Sequence, residues 1–467
     1  MIFAALTATL AIVLQDHTPL RAAPRAGPEL TSLWQGDVLE VRGERAGYLK
    51  VYDYRRERGG YIRSEAARPV GLTEADAPEL LAVLRFLRDT PASEALGISY
   101  GAAYLKAMPA RALTAEPFDA IASMAERLAD QASGASRRLT QAAAHLEVVE
   151  QFGIHMKSFE RNGQVQLCYD GELYRRVLTL ANASADQRAR AALGLSRPDC
   201  IDPSLGPVMR AALDAERREL LEAIDTRPLS AMLQSRLRAR RASVWASIAW
   251  EQSRRREPAG AAAERALTEL LAVRAADLGE DRRTEYLDAV VRVGAIRWAL
   301  AAPEADTGPL ILTASPGDPG QTCLALQDTR TRPATALVRR CTYGVVWLAS
   351  AQSVGRGRAL VLAVQPLEVW RELWVFHTFA GTWRVDVLSP GADDPEEGYV
   401  EFAGFAPVTG RLLTVREVKE RGHFRRHFEE LRLDDLVLVK QATAPELLPD
   451  FGRWQDVQWR RDTLALR

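Results

Sequence analysis

The segment GISYG, Gly97–Gly101, matches the pattern G-x-S-x-G. In hydrolases of that pattern the glycines permit a strained strand-to-helix turn that exposes a nucleophilic serine, here Ser99. A histidine must then take the serine proton, and His145, His155, His377, His423 and His427 lie downstream. The setting argues against this chemistry. The preceding run DTPASEAL holds no buried strand, and small residues four apart also suit helices that pack closely. HFRRH places His423 and His427 four apart, a metal-binding spacing on a helix. A zincin would also need glutamate beside the first histidine; Phe424 stands there, and the flanking runs read as strands. Without a Walker A loop, S-x-x-K, H-E-x-x-H or dinucleotide fingerprint, no cofactor or metal is expected.

Cys168, Cys200, Cys323 and Cys341 are an even set without C-x-x-C, which fits disulfides better than zinc or a redox motif. Three pairings are possible. The sequential one, Cys168–Cys200 and Cys323–Cys341, keeps each bridge within one region and is worth about 3–4 kcal/mol per bridge on a chain-entropy account. The opening run MIFAALTATLAIVL is uncharged, apolar and too short to span a bilayer. Residues 1–15 therefore read as a candidate signal peptide, although the basic leading segment and a clean A-x-A cleavage site are missing. A buried N-terminal strand is the competing reading. No other segment reaches eighteen uninterrupted apolar residues, so the mature chain is expected to lack a transmembrane segment and to be periplasmic or secreted.

Lys+Arg and Asp+Glu number 61 each, so no net charge draws the protein to nucleic acid or anionic lipid. The densest basic run, SRLRARRASVWASIAWEQSRRRE at 235–257, reads as a helix with its arginines in water and its apolar residues on a core. ADDPEEG at 392–398 lacks the alternating ligands of a calcium loop and reads as a hydrated acidic loop.

The elements that must position these residues fall into three regions. Residues 18–70 alternate apolar and polar positions in short runs broken by turns, the pattern of small antiparallel strands. Residues 73–303 carry helical spacing, with Thr73 and Thr114 as N-cap positions and helices at about 137–159, 172–181, 186–194, 206–225, 229–255, 260–278 and 282–301. RPDCIDPSLGP (197–207) and REPAG (256–260) interrupt them. Proline and glycine cluster at 302–321, the clearest boundary, before a β-rich region over 308–467 that holds six of the ten tryptophans. An aromatic before a turn and strand recurs at Trp347, Phe405 and Trp459, spacings of 58 and 54, loosely like propeller blades. A sandwich or open sheet fits better. The fold class expected is multidomain α+β: a small N-terminal β-barrel, an all-α middle and a β-rich end.

TPLRAAP, WQGDVLEV, AGYLKVY and GGYIR, with Gly36, Gly47 and Gly60 at their turns, resemble a bacterial Src-homology-3-like module over residues 18–70. The resemblance covers about a ninth of the chain. It implies a five-stranded barrel of about sixty residues, found in exported bacterial proteins as a binding module, sometimes for cell-wall peptides. Trp34, Tyr48, Tyr52 and Tyr61 become candidates for its aromatic groove. Between Gly43 and Val70 seven cations interleave with Glu44, Asp53, Glu57 and Glu65, which suits a solvated hairpin and not a nucleic-acid surface.

Taken together, these features predict a non-enzymatic binding or scaffolding protein of the bacterial cell envelope, with a protein or a peptidoglycan peptide as partner and no nucleic acid. The alternatives are a serine hydrolase using Ser99, or a β-domain sensor in which the N-terminal module is a spacer.

Overall fold

A computed structural model of the chain describes residues 9–25, 27–133, 139–161, 163–301, 308–330, 335–391, 397–420, 423–457 and 459–461. It is a mixed α+β protein of two compact units that part between Leu205 and Gly206. That point lies in the RPDCIDPSLGP break, within the helical region and not at 302–321.

In unit 1, seven strands form one antiparallel sheet: β1 (Thr9–Val13), β2 (Thr18–Arg21), β3 (Glu29–Leu33), β4 (Val38–Arg45), β5 (Tyr48–Asp53), β6 (Arg58–Arg63) and β7 (Ala67–Val70). Their order is β3-β2-β6-β5-β4-β1-β7. The expected five-stranded closed barrel is thus corrected to a seven-stranded sheet without closure. Ala46 and Gly47, both with positive φ, make the two-residue link from β4 to β5 whose twist matches the strands. Leu49 and Val51 point inward with Leu20, Leu39 and Ile62, as the alternation requires.

Within the candidate leader, Thr9–Val13 form the strand β1. It pairs with β4 on one side and β7 on the other. Ala11 and Val13 enter the sheet core, whereas Ile12 packs on the helices beside Val70, Leu80 and Tyr104. A five-residue apolar strand and a short secretory core have the same composition; the pairing is that of the strand. Residues 1–8 lie outside the described residues.

The helices of unit 1 are α1 (Ala77–Arg88), α2 (Glu94–Ala107), α3 (Ala115–Ala132), α4 (Leu139–Glu150), α5 (Glu172–Thr179) and α6 (Ala185–Leu195). Thr114 is the N-cap residue of α3, as expected, but α1 is preceded by Asp76, whose carboxylate accepts from the N–H and hydroxyl of Thr73. The middle region is not all-α. A hairpin of β8 (Met156–Arg161) and β9 (Gln164–Tyr169) replaces the end of the helix expected over 137–159. Cys168 on β9 is bonded to Cys200 beyond α6.

Unit 2 begins with α7 (Pro207–Glu222), α8 (Ala231–Arg254), α9 (Gly260–Leu271) and α10 (Glu280–Ile296). A three-stranded sheet follows: β10 (Leu310–Pro316), β11 (Thr322–Asp328) and β12 (Ala336–Thr342). Cys323 and Cys341 face each other across β11 and β12 and are bonded. The sequential pairing is therefore the one the fold makes.

The larger sheet contains β13 (Val345–Val354), β14 (Ala359–Leu367), β15 (Trp370–Phe379), β16 (Thr382–Leu388), β17 (Gly398–Ala406), β18 (Arg411–Glu420), β19 (His423–Arg432) and β20 (Leu438–Ala442), with α11 (Pro449–Trp454) after it. Its order is β13-β14-β15-β17-β18-β19-β20, with β16 also on β15. The propeller likeness is corrected: Trp347 and Phe405 precede strands of this one sheet, and residues 462–467 lie outside the described residues. β14 is buried along both faces. Leu360, Leu362 and Val364 meet Leu310, Leu324 and Leu326 of the small sheet, whereas Ala363, Val345 and Trp347 meet Ala246, Ala266 and Val293 of α8, α9 and α10. That shared core is why the later helices belong with the C-terminal strands.

Charge is buried in the same unit. Arg240 pairs with Glu285, and Arg241 donates to the carbonyls of Leu221 and Ile224, so two arginines of the basic run turn inward and not to water. Glu368 accepts from Arg210 at 2.6 Å and also from Ser247 and Arg292. Arg292 reaches Glu397 at 2.9 Å, and Lys419 bridges Asp288 and Glu397 at 3.0 and 3.3 Å. Glu397 is the inward end of the acidic segment 392–398; residues 392–396 lie outside the described residues.

Candidate functional site

The alternation along β5 sends Tyr48, Lys50 and Tyr52 to the face opposite the core. Pairing with β6 sets Arg63 across from Tyr48, Tyr61 across from Lys50 and Gly59 across from Tyr52. Three of the four expected aromatics therefore share one face, half-exposed around the exposed Lys50. A Cβ at Gly59 would stand 3.5 Å from the Tyr52 ring, ordinary contact, so glycine leaves that ring's edge open.

This face is organised by residues outside the expected set. The Arg42 guanidinium lies 4.0 Å over the Tyr52 ring, and Tyr54, 63% exposed, meets Tyr52 edge-on at 5.0 Å. Arg42 Nε and the Tyr54 hydroxyl both donate to Glu40 Oε2, at 2.7 and 3.0 Å. Those hydrogen bonds, Arg42's first, hold the Glu40 carboxyl below its usual range and raise Arg42. Glu65 and Tyr48 raise Arg63. Lys50 alone among these cations has no ion-pair partner among the described residues. The arrangement sets tyrosine rings around one cation, Lys50, between two arginines that are paired with Glu40 and Glu65. Tyr54 could have been found from the same period of two that exposes Tyr48 and Tyr52; the Arg42–Glu40 brace needed the register with β4.

Trp34 does not join them. Its ring lies 4.3 Å from that of His17 and edge-on to His145, and it packs on the helical core beside Leu84 and Ile98. The four-ring groove is corrected to a three-tyrosine face. Nor does the charged connection DYRRERG form a ligand surface. Arg55 turns onto the buried Asp37 at 2.8 Å, and Arg56 onto Asp53 at 2.6 Å and Asp37 at 3.1 Å.

Ser99 is not set on an exposed strand-to-helix turn. It lies within α2, fully buried, and its hydroxyl is shared between the carbonyls of Gly36 (2.7 Å) and Ala95 (3.0 Å). The flanking glycines serve contact: a Cβ at Gly97 would come 2.4 Å from Met124 Sδ, and one at Gly101 would come 2.6 Å from Ile121 Cγ1. His145 is occupied elsewhere, its Nε2 2.8 Å from Asp16 Oδ1. Burial raises the Asp16 pKa, but His145 and the N–H of Gln35 outweigh it, and the net direction is down. This tie fastens the loop after β1 to α4. His423 and His427 lie on β19, where a four-residue step is about 13 Å, too far for a shared ion. No group of three metal-ligating side chains is present among the described residues. No helix among them is long and apolar enough to cross a membrane. The two disulfides are compatible with a secreted or periplasmic protein.

No family model, curated protein or solved structure matches the chain.

Proposed function

We propose that this is an exported, non-catalytic binding or scaffolding protein of the bacterial cell envelope, whose Src-homology-3-like N-terminal sheet holds a protein or a peptidoglycan peptide. The observation that carries the reading is the convergence of Tyr48, Tyr52 and Tyr61 on one face around the unpaired Lys50. Tyrosine supplies rigid contact area at low entropic cost and dominates many recognition surfaces. A stem peptide is short, extended and rich in carboxylates, so its backbone would lie across the rings and a carboxylate would meet Lys50.

The test is co-sedimentation of the full-length oxidised protein with purified sacculi. Tyr52→Ala and Tyr61→Ala should each reduce binding by about tenfold, the effect of a central aromatic contact, with unchanged thermal unfolding. Lys50→Ala should remove most of the salt dependence. Equal binding by all three variants and the parent would reject the tyrosine face as the site.

A further inference from the structure

We propose that the protein forms a two-fold dimer through β20, the open edge of the larger sheet in unit 2. There β20 pairs antiparallel with the β20 of a second copy. The pairing stands apart from the tyrosine face and does not depend on it.

β20 is the last strand of its sheet and pairs only with β19 among the described residues. Its other side presents backbone N–H and C=O groups without a ladder partner, a template for one more strand. Folded proteins blunt such edges with charge or proline. Other edges of this chain are blunted in that way: β7 carries Arg68 and Pro69, and β12 carries Arg339 and Arg340. β20 has one charged residue, Lys440. It follows three apolar residues that face water, Val437, Leu438 and Val439, which are 49%, 47% and 39% exposed. Val439 is a bulge residue with no opposite on β19.

The residues of this edge fit their own copy. An isologous contact sets each residue against the mirror position of the same run, and Val437-Leu438-Val439 reads alike in both directions. With the axis at Leu438, that residue meets its own copy and Val437 meets Val439 twice, so the exposed apolar side chains leave water together. The charged flanks match in the same register. Asp434 and Asp435 lie in the turn before β20, and Lys440 comes after the apolar run. Antiparallel pairing therefore brings Lys440 of each copy beside the Asp434–Asp435 turn of the other. The Asp434 side chain is 69% exposed with Arg358 on one oxygen, and Lys440 has no ion pair among the described residues. An axis at Val439 would instead leave Val437 against Gln441 and set the two Lys440 side chains diagonally opposite, so burial and charge select one register. With 61 cations against 61 anions, no net charge holds two copies apart.

Sedimentation equilibrium of the full-length oxidised protein tests this. It should show a reversible monomer–dimer equilibrium with a dissociation constant of roughly 10–100 μM, the strength of a small interface. Leu438→Asp sets two carboxylates against each other on the axis and should weaken the dimer at least about tenfold, with unchanged thermal unfolding because Leu438 is half-exposed. Lys440→Glu should weaken it about threefold to tenfold at low salt, and the further change Asp434→Lys should restore it. All four cysteines are in disulfides, so Leu438→Cys adds a single thiol. Its Cα would lie about 4.5–5.5 Å from that of its copy, within disulfide reach, and it should cross-link under mild oxidation. Gln441→Cys, about 20 Å from its copy in this register, should not. A monomer across the range to about 500 μM overturns the dimer. A dimer indifferent to Leu438→Asp overturns its placement on β20, and equal cross-linking by the two cysteine variants overturns the register.

Discussion

Asp288 offers a sharp test of the buried charge in unit 2. Burial, followed by the neighbouring Glu397 carboxylate, pushes its acid up to about 8, and a hydrogen bond joins the pair. An unfolded aspartate titrates near 3.8, so between about pH 4 and pH 8 the folded state holds a proton that the unfolded chain has released. Folding stability must then fall as pH rises through that window, by up to about 1.4 kcal/mol per pH unit for one proton. From about pH 5.5 to 7.5 the contribution is up to roughly 3 kcal/mol. Asp288→Asn preserves the shape, the oxygen that accepts from Lys419 and a donor for Glu397, but removes the titration. Denaturant unfolding followed by tryptophan fluorescence reads unit 2 almost alone, since Trp34 is the only indole outside it. Titrations away from this cluster are common to both proteins, so the difference between their pH slopes isolates the Asp288–Glu397 pair. The expected result is a parent that loses about 2–3 kcal/mol more than Asp288→Asn across those two pH units. Parallel slopes would show that Asp288 is ionised in the folded protein and refute the reasoning.

Three further outcomes follow from packing. Gly101→Ala should destabilise unit 1 by about 1–3 kcal/mol because its Cβ meets the branched Ile121; a raised melting temperature would contradict the close approach of α2 and α3. Ser99→Ala should cost about 1 kcal/mol in the same melt, the worth of one buried hydrogen bond, and a serine-directed covalent probe should label neither protein. Removal of residues 1–15 should unfold the N-terminal sheet, because Ile12 and Val13 alone contribute about 1.5–3 kcal/mol each by burial. Limited proteolysis that leaves residues 18–70 equally resistant in the truncated chain would contradict β1.

What could be read in advance was local. The alternation Tyr48-Lys50-Tyr52 places its side chains whatever the partner strands are, and the glycine link at Gly47 marks the hairpin. Boundaries that depend on distant partners were not legible. β1 has the composition of a secretory core, and only its pairing with Val38–Val41 and Ala67–Val70 distinguishes the two. Trp34 lies beyond the end of β3, so no period carries it, and its direction is set by His17 and the helices. Arg240 and Arg241 look like a solvated face because their acceptors, Glu285 and the carbonyls of Leu221 and Ile224, are up to 45 residues away. Gly97 and Gly101 show the same limit: the spacing is shared by an exposed catalytic turn and a tight helix crossing, and only Met124 and Ile121 decide between them.

Export into an oxidising compartment underlies the proposed function. Intact-mass measurement of the native protein, fractionated from its cells and alkylated without reduction, tests this directly. The expected result is protein in the extracytoplasmic fraction, with both bonds, Cys168–Cys200 and Cys323–Cys341, intact and no alkylated thiol. Protein confined to the cytoplasm with four alkylated cysteines would contradict it.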